Sequence, residues 1–197
     1  MADTTPLNLI AICGSFRAES YNAALLRAAQ RLAGEGVTIT QIDITDVPLF
    51  NQDVEAAGDP EAVTALKTAV KESDGVLIVT PEYNYGVPAV TKNAVDWLSR
   101  PFMAGPIGGK PTALAGATRG GGAAANALRH LGESVGILTS GLFTTTHGIG
   151  GVTKLIEDGE FSDHDACTDL AAWLAEFAAH AREHNSAAAE PAAAELV

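Results

Sequence analysis

Residues 7–13 are apolar except for Asn8, and the run ends at Gly14-Ser15. A near-continuous apolar run of this length reads as a strand buried on both faces, as in parallel sheets. After a loop over residues 14–20, residues 21–32 put Leu25, Ala28, Ala29 and Leu32 on one helical face, and Gly34 and Gly36 stop the helix. Residues 37–44 alternate as a second strand, and Val47-Pro-Leu-Phe-Asn51 begins a loop. Asp59-Pro60-Glu61 supplies a cap, a first-turn proline and a first-turn acid for a helix reaching about Glu72. A third strand covers residues 75–80. Val90, Ala94, Val95 and Leu98 then form a helical stripe that Arg100-Pro101 ends. A fourth strand is expected over residues 111–117, a helix over 123–133 and a fifth strand over 136–143. Asp163 caps a last helix whose Leu170, Trp173, Leu174 and Phe177 share a face. Residues 186–197 are almost all Ala, Glu and Pro, with little to bury, and read as a disordered or frayed tail.

Strand and helix thus alternate five times with no internal repeat. The pattern predicts one α/β domain over residues 1–185, a doubly wound parallel sheet with helices on both faces. In the strand order 2-1-3-4-5, the carboxyl ends of strands one, three and four are neighbours beside the switch point. The loops that follow those three strands carry most of the candidate chemistry.

Composition narrows the choice of ligand. Among 197 residues, 12 are basic and 24 acidic, a formal charge of −12. Such a surface repels nucleic acid, and it requires local positive groups wherever an anion binds. The two cysteines, Cys13 and Cys167, form no C-x-x-C pair and read as packing residues in a reducing compartment. The N-terminus lacks a signal-peptide pattern, and no window has the apolar length of a membrane span. A cytoplasmic location without membrane partners is the expectation. The five histidines offer no metal spacing; His147 falls in a loop at the active edge and reads as structural or surface.

The first of the three loops carries Ser15, Arg17, Ser20, Tyr21 and Asn22 at a helix N-terminus. Hydroxyls, a forked cation and free helix amides suit a phosphate monoester. Alternatively, Ser20 only caps the helix and Arg17 is a solvated charge. The loop has neither a Walker A pattern nor G-x-G-x-x-G. The second loop runs Pro81-Glu82-Tyr83-Asn84-Tyr85-Gly86-Val87-Pro88, framed by prolines that bias Thr80 and Val87 towards extended backbone. Two tyrosines, an amide, a carboxylate and a glycine suit a flat polar aromatic ligand, unless the tyrosines merely plug the core. The third loop brings Thr118, Arg119, Gly120, Gly121 and Gly122, either a backbone surface for a ring edge or a flexible connection. A phosphate at one end and a planar ring at the other is the shape of flavin mononucleotide (FMN).

The combination Gly14-Ser15-x-Arg17-x-x-Ser20-x-Asn22 with Pro81-Glu82-Tyr83-Asn84, Pro88, Lys92-Asn93 and Asp96-Trp97 resembles the NAD(P)H-dependent FMN reductase family, including its quinone, chromate and azo reductases. The resemblance implies a flavodoxin-like fold, FMN held without a covalent bond, and assembly as homodimers or homotetramers. It further implies hydride transfer from NADPH or NADH through FMN to a quinone, free flavin or other small acceptor by a ping-pong mechanism, with no catalytic side chain. Ser15, Arg17, Ser20 and Asn22 would hold the phosphate, Pro81 to Asn84 would line the isoalloxazine, and Thr118 to Gly121 would approach its other side. Backbone amides of residues 83–86 are candidates to stabilise charge on the reduced ring. Gly86-Val-Pro-Ala89 departs from the Ser-x-Pro-Gly often found in the family, and Thr91 from its leucine. The rival readings are a flavodoxin-type electron carrier without a substrate pocket, and a binding protein whose flavin site has decayed.

Overall fold

The computed structural model describes residues 5–194. Five strands, β1 (Leu7–Cys13), β2 (Val37–Ile42), β3 (Gly75–Val79), β4 (Thr112–Ala117) and β5 (His147–Ile149), form one sheet in the order β2-β1-β3-β4-β5. Every pairing is parallel. The expected strand order and doubly wound, flavodoxin-like architecture are present. Six α-helices connect and cover the sheet: α1 (Tyr21–Leu32), α2 (Gln52–Ala57), α3 (Glu61–Glu72), α4 (Ala89–Leu98), α5 (Ala125–Leu138) and α6 (His164–Ala194). A small hairpin, β6 (Ile156–Glu157) and β7 (Glu160–Phe161), precedes α6. Among the described residues no helix is long and apolar enough to cross a membrane.

The period-2 geometry of a strand divides the core. In β3, fully buried throughout, Leu77 and Val79 face one cluster with Leu25 and Leu26 of α1 and Leu170, Trp173 and Phe177 of α6. Val76 and Ile78 face the other, with Leu66 of α3, Leu98 of α4 and Leu131 of α5. Each such side chain contributes about 1.5–3 kcal/mol on burial. The single polar residue of β1, Asn8, lies at its exposed start, where Asp74 Oδ2 accepts from its amide at 2.7 Å.

Three expectations need correction. The fifth strand is not residues 136–143: α5 continues to Leu138, and residues 147–149 pair with Ala115, Gly116 and Ala117 instead. Leu128, Leu131 and Val135 are all buried at helical spacing, and this stripe carries the helix through Gly132 and Gly136. Only Leu142 of the expected strand touches the sheet, by an isolated bridge to Thr112. Second, the loop after β2 contains α2, capped by the Asn51 side chain, which accepts from the Asp53 amide at 2.8 Å. Third, residues 186–194 are not a disordered tail but continue α6, while residues 195–197 lie outside the described residues. Residues 187–190, three alanines and a glutamate, are strong helix formers, and a helix already anchored by Trp173 and Phe177 needs no new nucleus to propagate through them; Pro191 is the one residue of the stretch that works against it.

Candidate active site

The first loop leaves β1 through Gly14, whose amide donates to Val79 O at 2.8 Å. A Cβ on Gly14 would fall 1.9 Å from Thr91 Oγ1, so only glycine lets the loop lie this close to α4. Ser20 caps α1, its Oγ accepting from Ala23 N at 3.2 Å. The capping hydroxyl keeps its proton and can still donate to an anion. Asn22 is buried and bonded twice to the end of β4: its Nδ2 donates to Ala117 O at 3.0 Å, and Ala117 N donates to its Oδ1 at 2.9 Å. Its amide group is therefore a tie between the first and third loops, one of its two N–H donors being spent on Ala117. Arg17 is exposed, and its guanidinium carbon lies 4.6 Å from the centroid of the Tyr21 ring.

In the second loop, Tyr83 N donates to Gly86 O at 3.1 Å and Gly86 N to Tyr83 O at 3.0 Å. Asn84 and Tyr85, at φ 50° and 62°, make the two-residue turn between them. Both central residues at positive φ is the primed hairpin geometry, which a tyrosine enters only at a steric cost. The amides of Tyr83 and Gly86 are consumed by this hairpin, so they are not available to a reduced ring. Only those of Asn84 and Tyr85 remain candidates.

Glu82 turns away from the hairpin and caps α5. Its carboxylate accepts from Asn126 N at 2.8 Å, Ala127 N at 3.0 Å and Asn126 Nδ2 at 3.2 Å. Burial works against its charge, but the hydrogen bonds of Ala127 and Asn126, together with His130, outweigh it and lower its pKa. The acid thus fastens the second loop to the helix that follows the third.

The third loop is fixed by Thr118 N donating to Ile149 O and by Gly151 N donating to Gly120 O. Gly120, Gly121 and Gly122 do not adopt positive φ, and a Cβ on any of them would meet nothing within 4 Å. Neither backbone nor packing therefore demands glycine there. The next two residues, Ala123 and Ala124, do take positive φ, 51° and 56°.

The three loops enclose one cleft of about 430 Å³. Its walls are Ser15, Arg17, Ser20, Tyr21 and Asn22 from the first loop, Pro81, Glu82 and Tyr83 from the second, and Thr118, Arg119 and Gly120 from the third. Ala117 also lines it; an alanine ending an apolar strand gave the sequence reading no signal. Asn84, Tyr85, Gly86 and Gly121 stand outside these walls, and Tyr85 is 79% exposed at the hairpin tip. His147 belongs to β5, its ring tilted against Trp173 at 5.3 Å between centroids, and is no part of the cleft. Among the described residues no cluster of His, Cys, Asp or Glu could hold a metal ion.

Much of the remaining motif is structural. Asn93 Oδ1 accepts from Phe50 N at 2.7 Å, while Asn93 Nδ2 and Trp97 Nε1 both donate to Pro48 O, at 2.9 and 2.8 Å. These residues staple the segment after β2 onto α4. Lys92 pairs with Asp96 on the surface.

The donor set fits a flavin nucleotide. An arginine with no carboxylate partner among the described residues, two serines and a helix N-terminus stand in the first loop. Across the cleft, the unfilled space beside Gly120 can admit a ring edge.

Residues 7–146 match the family model described as NADPH-dependent FMN reductase. An NAD(P)H-dependent FMN reductase of Pseudomonas aeruginosa is 42% identical over 129 residues, 66% of this chain and 69% of that protein. A quinone reductase of Escherichia coli is 34% identical over 176 residues, 87% of this chain and 93% of the relative. Among solved structures, the flavoenzyme NAD(P)H:(acceptor) oxidoreductase of Paracoccus denitrificans superposes with a TM-score of 0.81 at 30% identity, covering 90% of this chain and 98% of that one. The chain belongs to the NADPH-dependent FMN reductase family, as an oxidoreductase whose cofactors are FMN and NAD(P)H.

Proposed function

We propose that this enzyme takes hydride from NADPH or NADH and delivers it to a quinone, a free flavin or a similar small acceptor, the two substrates using one open face of the cleft in turn. FMN, when bound, supplies the redox centre, and the chain binds, orients and shields it. The observation that carries the reading is the cleft itself, with a guanidinium that forms no ion pair among the described residues on one wall and open backbone at Gly120 on another. Ser15, Arg17 and Ser20 hold the phosphate. Pro81, Tyr83, Thr118 and Gly120 border the ring. Asn22 and Glu82 act by tying the walls together. Neither cysteine is in a disulfide, which supports a reducing, cytoplasmic setting. The active unit in this reading is a homodimer that covers the apolar surface flanking α4.

Two measurements test it. Arg17→Ala is expected to weaken FMN binding by about 1.5–3 kcal/mol, the size of a hydrogen bond to a charged group. Initial rates against NAD(P)H and quinone together are expected to give parallel lines. Intersecting lines would require both substrates to bind at once and would overturn the shared-face reading. A protein that binds FMN and turns over no acceptor would instead be an electron carrier.

A further inference from the structure

Arg17 raises an electrostatic problem. The chain carries twice as many acidic as basic residues, yet this exposed arginine forms no ion pair among the described residues. Other arginines do find carboxylates: Arg27 meets Glu160, Arg100 meets Glu55 and Arg129 meets Glu133, each at 2.8 Å. What Arg17 has instead is the face of Tyr21, four residues on, 4.6 Å from the ring centroid. The two kinds of partner have different consequences. A carboxylate would fix the guanidinium but neutralise it and occupy its N–H groups. An aromatic face attracts the cation through the ring quadrupole, restrains it, and leaves its in-plane donors and its charge free for an anion. Tyr21 is itself well placed for this: it is the first residue of α1, directly after the cap Ser20, and it packs against the buried core beneath the sheet.

We propose that Tyr21 is a positioning residue, a platform that holds Arg17 over the cleft in a charged, unpaired state ready for the cofactor phosphate. The inference rests on the phosphate reading of the first loop given above. In this arrangement Tyr21 contributes through Arg17 and not through the flavin ring. Part of the rotamer entropy that a long side chain loses on binding a phosphate is already lost before the ligand arrives. The hydroxyl of Tyr21 has no part in this, so a phenyl ring should serve equally.

The test compares FMN with riboflavin, which has the ring and ribityl chain but no phosphate, by equilibrium titration of the refolded apoprotein. Four variants are needed: Tyr21→Leu, Tyr21→Phe, Arg17→Ala and the double variant Arg17→Ala/Tyr21→Leu. Tyr21→Leu is expected to weaken FMN about two- to fivefold, the size of an exposed cation–π contact, and to leave riboflavin unchanged. Tyr21→Phe should match the wild type, and adding Tyr21→Leu to Arg17→Ala should change nothing further. Equal losses for FMN and riboflavin would overturn the proposal, because the ring would then touch the ligand body. Additive losses in the double variant would overturn it as well. If Arg17→Ala weakens FMN while Tyr21→Leu does not, the phosphate reading stands and this proposal alone falls. If Arg17→Ala binds FMN as tightly as the wild type, both fall together.

Discussion

At the scale of single residues, the third loop inverts the usual placement of glycine. Gly120 to Gly122 occupy ordinary backbone with empty space beside them, while Ala123 and Ala124 bear the left-handed conformation that glycine takes without cost. Ala123→Gly should therefore stabilise the fold, the relief of about 1 kcal/mol of left-handed strain exceeding the extra entropy of the unfolded chain. Gly120→Ala should leave the melting temperature near the wild-type value yet weaken FMN, because its methyl would enter space reserved for the ring. Calorimetry with a parallel FMN titration separates the two effects. A Gly120→Ala variant with unchanged FMN affinity would show that the ring does not approach this wall. His147 gives a pH prediction. Burial holds its pKa below the ordinary 6.5, against the opposing charge of Asp169. Below about pH 6.5 the unfolded chain takes up a proton here that the folded chain refuses, so stability is lost as pH falls from there towards the folded pKa. Replacing His147 with Phe, which keeps a ring against Trp173, should flatten the decline in denaturation midpoint between about pH 7 and 5.5. An identical decline would assign it to other groups. At this scale the sequence reveals part of the cleft wall, because Ser15, Arg17, Thr118 and Gly120 lie in loops after strands, but it also points to Asn84, Tyr85, Gly86 and Gly121, which stand outside it. It does not reveal what Asn22 and Glu82 do. Their partners are 95 and 44 residues away, a distance no local pattern encodes.

Among the elements, those with an unambiguous period are legible and those between two periods are not. β1 and α1 begin and end where their apolar patterns do. Residues 136–143 hold two short apolar pairs, Ile137-Leu138 and Leu142-Phe143, around Thr139-Ser140-Gly141, and a short pattern of that kind fits a strand or the last turn of a buried helix equally. The contact of Val135 with the core decides for helix, and the edge strand moves to His147–Ile149, too short and polar to stand out. The C-terminal helix shows the same limit from the other side. Composition read residues from Ser186 onward as coil, yet α6 runs on to Ala194, with residues 186–189 exposed. What anchors this half of α6 lies just before: Arg182 Nε donates to Thr5 O at 3.0 Å, His184 Nε2 lies 2.9 Å from Gly109 O, and Asn185 Nδ2 donates to Asp74 O at 2.9 Å. A chain ending at Asn185 should melt within a degree or two of the full length. A chain ending at Ala181 loses all three contacts, at roughly 0.5–1.5 kcal/mol each, and should melt about 3–18 °C lower. Equal melting temperatures for the two truncations would show that these contacts add nothing.

For the whole molecule, the question is what covers the apolar surface around α4. The helix itself is short, with six of its residues buried. Exposed apolar side chains border it from three segments: Tyr83 and Tyr85 in the hairpin before it, Phe102 and Met103 in the turn after it, and Leu49 in the segment that Asn93 and Trp97 staple onto it. Leu49 is 77% and Met103 87% exposed, so these residues do not serve the core of the single chain. A two-fold axis beside α4 would bury the same set from both copies and cover the outer rim of each cleft. The formal charge of −12 per chain opposes that association at long range, and salt shortens the range of the repulsion to about 8 Å at physiological strength. The dimer should therefore hold together more tightly at high salt than at low salt, the reverse of an interface made from opposite charges. Light scattering over a dilution series at two ionic strengths reads this directly. Met103→Glu and Leu49→Glu place a carboxylate on the axis-facing surface and should shift the mass towards a monomer while leaving the far-ultraviolet circular dichroism unchanged. A wild-type chain that stays monomeric at every concentration with full turnover would sink the assembly. A dimer that survives both substitutions, and weakens with salt, would place the contact on a different and more polar face.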